Sequence, residues 1–313
     1  MRGSYKRIPI TIKKDAAAVL ALEKLRSFLD PREPRLAYFL VRTWNNQSKA
    51  ITYKELREAI LKGEISADYI EQWQQDYARF VIDHMESRWE EAIITGANEQ
   101  LINYPDFNFD PMGDGVLEWT EDRAAQFITN CTNTQIEGLR AVVRQAATLE
   151  NMTVDQLARA VRPLVGLTRD QSRANLNYYT KLIESGVKEK RAQYLAAQYA
   201  GKQHRYRGYN IARTELAFSY NKGADFGIRQ AQQAGYMGEM VKIWCTADDE
   251  RTCEICGALD GKRIAMDEDF DYYTRLQTSN PGIRRTPPAH PSCRCVTLYE
   301  EVSPPIIKPR LSH

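Results

Sequence analysis

The sequence has no apolar run approaching the roughly 18 residues of a membrane-spanning helix. Its N-terminus, MRGSYKRIPITIKK, is basic but lacks the apolar core of a secretory signal. Histidine is scarce, at four residues. None lies in an H-E-x-x-H element, and the single H-x-E, His84-Met85-Glu86, has no P-C-x-x-C after it, so neither the common zinc-hydrolase nor the deaminase pattern is complete. Net charge is only +2 over 313 residues, too near neutral to indicate a nucleic-acid or membrane partner by itself. No repeat of fixed period is present. These absences point to a chain made and used in a reducing cytosol, without a membrane role.

Hydrophobic residues make up 43% and charged residues 27%, so a packed protein is expected. Its length suits two or three domains. Helical signals dominate. Ala16 to Leu29 reads as a helix, broken by Asp30-Pro31 and Glu33-Pro34. Thr52 and Glu55 form a capping box for a helix to about Lys62. From Ser66, the stripe Ile70, Trp73, Tyr77, Phe80 and His84 recurs at spacings of three and four, predicting a helix to about residue 100 with His84 as a packed residue. Asn103 to Gly115 reads as a linker. Thr120, Thr153 and Thr168 are read as caps of further helices, and a last helix is expected from about Tyr209 to Ala234. Met240 to Thr246 alternates as a strand does. The expected fold is mainly α, a multi-helix array with a small zinc-stapled α+β or β-hairpin module near the C-terminus. The expected divisions are an N-terminal helical region at 1–118, a helical domain at 119–235, a zinc-binding module at 236–302 and an extended tail at 303–313.

Four of the six cysteines lie between Cys253 and Cys295. In a reducing compartment such clustering suggests a metal site before disulfides. Cys253-x-x-Cys256 can grip one ion from a tight turn, and His290-x-x-Cys293 returns a second pair. Four such ligands suit tetrahedral zinc and leave no open position, the pattern of structural sites. Cys295 competes with Cys293 for the fourth place, since alternate strand residues face opposite ways unless the backbone turns. The competing reading is a set of buried thiols without metal. Cys131 and Cys245 read as small packed residues. Gly257 to Lys262 fails as a phosphate loop by spacing, and Asp267, Asp269 and Asp271 fail as a calcium loop because Tyr272 and Thr278 replace its glycine and final glutamate. That acidic run reads as a solvated face.

Lys188, Lys190, Arg191, Lys202, Arg205, Arg207 and Arg213 stand against Glu189 alone, interleaved with Tyr194, Tyr199, Tyr206 and Tyr209. Basic and aromatic surface of this kind fits phosphate-backbone contact, with Lys188, Lys190, Arg191, Lys202, Arg205 and Arg207 as the candidate residues. The alternative is a solvated helix face pairing with the acidic stretch 248–271. Arg213 and Glu215 are two apart and point to different sides of a helix. Each is expected to reach a different neighbour and tie the helical part to the zinc module.

The order of motifs carries a resemblance. Ile211-Ala212-Arg213-Thr214-Glu215 is followed by a Trp-bearing strand and a D-x-R-T-C-x-x-C-x-x-L-x-G element from Asp249 to Gly261. A P-P-x-H-P-x-C-R-C close follows from Pro287 to Cys295. Over roughly residues 119 to 300 the chain resembles the phage Mu F-like minor head protein family, also called phage head morphogenesis proteins. The resemblance implies a virion component, present in few copies inside the head near the portal and in the host cytoplasm during assembly. It implies portal, major capsid or scaffolding proteins as partners, and a link to packaged double-stranded DNA and its ejection. Many members replace the first cysteine pair while keeping the C-R-C close. This chain has the full cysteine version, which strengthens metal binding and leaves the role of Cys295 open. No catalytic residue is expected. The alternative is a metal-dependent hydrolase or nuclease using Asp248, Asp249, Glu250 or Glu254, and a further one is a host zinc protein that binds nucleic acid.

Overall fold

The computed structural model describes residues 16–247, 249, 252–272 and 282–304. Asp248, Glu250, Thr278 and most of the expected tail lie outside the described residues. The chain opens with α1 (Ala16–Leu29) and α2 (Glu33–Ala50). The first helix ends at Leu29 as the sequence suggested, and Pro34 sits in the first turn of α2, where its missing N–H has no partner to lose. The capping box of Thr52 and Glu55 starts α3 (Tyr53–Lys62), which Gly63 closes at φ 70°. Ser66 caps α4 (Ala67–Phe80), which runs through a π-helical turn at Val81–Met85 into α5 (Glu86–Gln100).

Helix α6 (Asp114–Ala147) begins before the expected cap. Thr120 lies within its second turn, and its hydroxyl donates to the carbonyl of Val116 at 2.8 Å. Capping boxes at Thr153 and Thr168 open α7 (Val154–Val161) and α8 (Arg169–Glu184). The expected late helix is instead the C-terminal half of one 45-residue helix, α9 (Glu189–Gln233).

One hydrophobic core runs from α1 through α9, so segments 1–118 and 119–235 share it. A buried chain ties three helices: Trp44 donates to the Tyr77 hydroxyl at 2.8 Å, and Tyr77 donates to Gln135 at 2.6 Å. Helices α5 and α9 pack at backbone contact. A Cβ at Gly223 would lie 2.1 Å from the Ile93 carbonyl oxygen, and one at Gly96 2.0 Å from that of Tyr220. His84 packs as the stripe predicted, its ring stacked on Phe39 with centroids 4.1 Å apart.

After α9 the chain forms β1 (Glu239–Cys245), the short α10 (Glu254–Leu259), β2 (Arg263–Ala265), β3 (Phe270–Tyr272), β4 (Gly282–Arg284) and β5 (Val296–Ser303). Strand β1 is central, antiparallel to β2 and β5, with Ile243 opposite both Arg263 and Leu298. Strands β3 and β4 form a separate antiparallel pair. A second small core gathers Trp244, Cys256, Leu259, Phe270, Ala289, Cys293 and Cys295. Among the described residues no helix is long and apolar enough to cross a membrane.

Candidate metal centre

The ligand-bearing groups come from two short segments. Cys253 is the N-cap of α10, and its sulfur accepts the N–H of Cys256 at 3.4 Å. This fixes the first pair on one tight turn. The second segment is a β-turn: Cys293 N–H donates to the His290 carbonyl at 3.2 Å, with Pro291 at the second position and Ser292 at the third, φ 61°. Proline followed by a left-handed residue is the pattern of a type II turn. The turn brings His290 and Cys293 to the side occupied by α10.

The ligand atoms then converge in two groups that share Cys256. Cys253, Cys256 and His290 form one, and Cys256, Cys293 and Cys295 the other; within each the atoms lie no more than 4.8 Å apart. His290 Nε2 is 3.0 Å from the Cys253 sulfur and 3.1 Å from that of Cys256. The Cys256 and Cys293 sulfurs are 3.6 Å apart. A tetrahedral zinc with Zn–S bonds of ~2.3 Å has an S···S edge of ~3.8 Å and an S···N edge of ~3.6 Å. The sulfur edge fits, and His290 must withdraw by about half an ångström to admit such an ion. Its other nitrogen, Nδ1, faces the Pro291 carbonyl at 2.9 Å. Donation there leaves Nε2 as the free lone pair aimed at the sulfurs.

Hydrogen bonds among the sulfurs divide the thiols. The bond to Cys293 pushes the Cys256 thiol far up, and the bond from Cys256 pulls the Cys293 thiol down. A divalent ion supplies the charge that allows the other thiols to lose their protons. The two groups together offer five donors, one more than a tetrahedral ion takes, and no described carboxylate joins either group. Cys131 and Cys245 lie outside both and are buried; burial holds the Cys131 thiol up at about 12.

The carboxylates of the hydrolase alternative are placed otherwise. Asp249 pairs with Arg294 at 2.9 Å. Glu254 is exposed. The acidic run is an exposed face, as the sequence suggested, on which Asp267 pairs with Arg229, Asp269 with Arg285 and Asp271 with Lys262.

Of the basic candidates on α9, Lys188, Lys190, Arg191, Lys202 and Arg205 are exposed. Arg207 is not: it is 6% exposed, donates to the Gly166 carbonyl and lies 4.8 Å over the Trp44 ring. It faces the core because a guanidinium can satisfy a buried carbonyl and an aromatic face together. Arg213 and Glu215 do take different partners, Glu33 on α2 and Arg123 on α6. Both partners are helical, so neither ties the helices to the metal module. Near the ligand segment that tie is made by Asn210, Thr214 and Asn221 of α9, and further along by Arg229, which bonds to Asp267 and the Met266 carbonyl. Ser292 bonds to Thr214 and Asn210, and Asn221 bonds to the backbone of Cys295 and Thr297. Only their spacing of four and seven on one helix could have signalled this.

Fold and site together define a helical protein whose C-terminal module carries a thiol–imidazole cluster able to hold a metal ion. Residues 152–298 match the family described as Phage Mu protein F like protein. The match begins at the cap of α7 and ends within β5, so it takes in the whole of α9 and every group of the cluster. The family points to a phage head morphogenesis protein. No curated protein and no solved structure matches the chain.

Proposed function

We propose that the protein is a minor component of a phage head, lying inside the head near the portal and acting by binding rather than turnover. The observation that carries this reading is the family match over residues 152–298. Its partners are portal, major capsid or scaffolding proteins, with packaged double-stranded DNA held non-specifically during packaging or ejection. The exposed face of α9 supports the DNA contact: Arg191, Lys202 and Arg205 share it with the exposed rings of Tyr194, Tyr206 and Tyr209. The donor chemistry of the cluster supports zinc, held by Cys253, Cys256, His290 and Cys293, with Cys295 as the alternative fourth ligand. Four protein ligands close the coordination sphere, so the ion staples the module and offers no position for substrate.

Mass spectrometry of purified particles tests the reading. The chain should be found in low copy number, and a portal gene should lie immediately upstream of its own. Particles that form normally and never contain the protein would overturn it.

A further inference from the structure

The segment from His290 to Thr297 carries the second half of the ligand set, and α9 holds it at two places without touching a ligand atom. At the turn, Ser292 N–H donates to the Thr214 hydroxyl at 2.9 Å, and the Ser292 hydroxyl donates to Asn210 Oδ1 at 2.6 Å. The Thr214 hydroxyl is itself oriented, donating to the Asn210 carbonyl at 2.6 Å. Ser292 is in the left-handed region, which a side-chain-bearing residue rarely adopts without support from its surroundings. Beyond the turn, the Asn221 amide takes the place of a strand neighbour. Its Nδ2 donates to the Cys295 carbonyl at 3.2 Å, and its Oδ1 accepts the N–H of Thr297 at 3.0 Å. Asn221 is 1% exposed, and its Nδ2 is also bonded to the Ala217 carbonyl at 2.9 Å.

These bonds bracket Cys293 and Cys295 from both sides. They set the turn that aims His290 and Cys293 at α10, and they hold the chain as it enters β5. We propose that Asn210, Thr214 and Asn221 are positioning residues for the metal centre, so that loading of the ion and seating of the C-terminal module on α9 form one equilibrium. This rests on the reading of the cluster as a zinc site. Partners beyond the ligands fix ligand direction and tune affinity, and their loss weakens metal binding about 10- to 100-fold. Here the partners stand on a long helix belonging to the other core.

The test is zinc affinity of the full chain, read by competition with a chromophoric chelator. Thr214→Val keeps shape and loses the hydroxyl; Asn221→Leu loses both amide bonds. Each should weaken zinc binding about tenfold or more, and Thr214→Ser should restore it. Ser219→Ala serves as control, since Ser219 is buried on the same helix and among the described residues bonds only to the Glu215 carbonyl, at 2.9 Å; its zinc affinity should equal that of wild type. Wild-type affinity in Thr214→Val and Asn221→Leu would overturn the proposal. So would equal weakening by Ser219→Ala, which would mark a general loss of helix stability. Should Asn221→Leu fail to fold, the comparison of Thr214→Val with Thr214→Ser decides alone. A wild-type protein that takes up no zinc would instead remove the metal reading itself.

Discussion

Arg123 of α6 grips Glu215 of α9 through two guanidinium nitrogens, Nε at 2.8 Å and Nη2 closer still. Two residues earlier, Arg213 makes the same two-pronged contact in the opposite sense, with Glu33 of α2, at 2.7 and 2.6 Å. The I-A-R-T-E segment is therefore where α9 is fastened to helices on both flanks. Thr214 between them turns to the metal module. Three successive side chains of one helix thus reach three different parts of the molecule.

Removing Arg123 leaves a carboxylate in the core with no cation. Glu215 is 6% exposed, and breaking such a pair from one side costs about 3 kcal/mol or more. Arg123→Ala should lower the denaturant midpoint accordingly, while the double variant Arg123→Met, Glu215→Leu should recover much of the loss. A loss under about 1 kcal/mol in the single variant would show that the pair is solvated in solution.

Gly223→Ala should destabilise the protein by about 3 kcal/mol or more, because the new methyl meets backbone that cannot step aside. Its distance to the Ile93 carbonyl oxygen would be 2.1 Å. Gly63→Ala provides the contrast: nothing lies within 4 Å, and only the φ of 70° resists it, at about 1 kcal/mol. Thermal unfolding of the two variants should rank them in that order.

His204 is buried, with Nε2 2.9 Å from the Val165 carbonyl, and burial lowers its pKa from 6.5 to about 4. The unfolded chain therefore binds more protons than the folded one between those values. The contribution to stability is fully present above pH 6.5 and is lost as pH falls towards 4, on the order of 3 kcal/mol. His204→Gln, which can still donate to Val165, should flatten this part of the acid-unfolding profile. An unchanged slope between pH 6.5 and 4 would contradict the assignment.

Binding to double-stranded DNA, measured by fluorescence anisotropy, should be independent of sequence and should weaken steeply with salt. Replacing Lys202 and Arg205 by Gln should lower both the affinity and the salt slope, by about one unit of slope per lost phosphate contact. Arg207→Gln should act differently, reducing stability through the Gly166 and Trp44 contacts and leaving the slope unchanged. Equal salt slopes in wild type and the Lys202, Arg205 variant would leave this face as solvated surface.

Chelation, or Cys253→Ser, should raise hydrogen exchange in residues 236–302 and spare the helices. The small core around Trp244 and Phe270 is separate from the main one and has few apolar side chains of its own. Uniform loosening of the whole chain would contradict that division.

The elements that could be read from sequence were those with local causes. Thr52, Ser66, Thr153 and Thr168 each accept a backbone N–H two or three residues on, and such caps are written in adjacent residues. Thr120 looked the same, yet its hydroxyl turns back into a helix already under way. The grouping of the Cys-x-x-Cys and His-x-x-Cys pairs was legible because each short spacing puts both side chains on one turn. Arg207 and Asn221 were not, because a polar side chain turns inward only when a distant carbonyl or strand awaits it. Gly166 and Cys295 supply those partners from far along the chain.

Helix α9 contains 45 residues without interruption, about 68 Å at 1.5 Å per residue. Its first turns present Lys190, Arg191 and Tyr194 to solvent, and its C-terminal half carries the Thr214 and Asn221 contacts to the metal module. A single stiff rod therefore sets the spacing between those places, as a gauge block does. Whatever grips both must present its own contacts at that separation, and a twist imposed at one end is carried along the axis to the other.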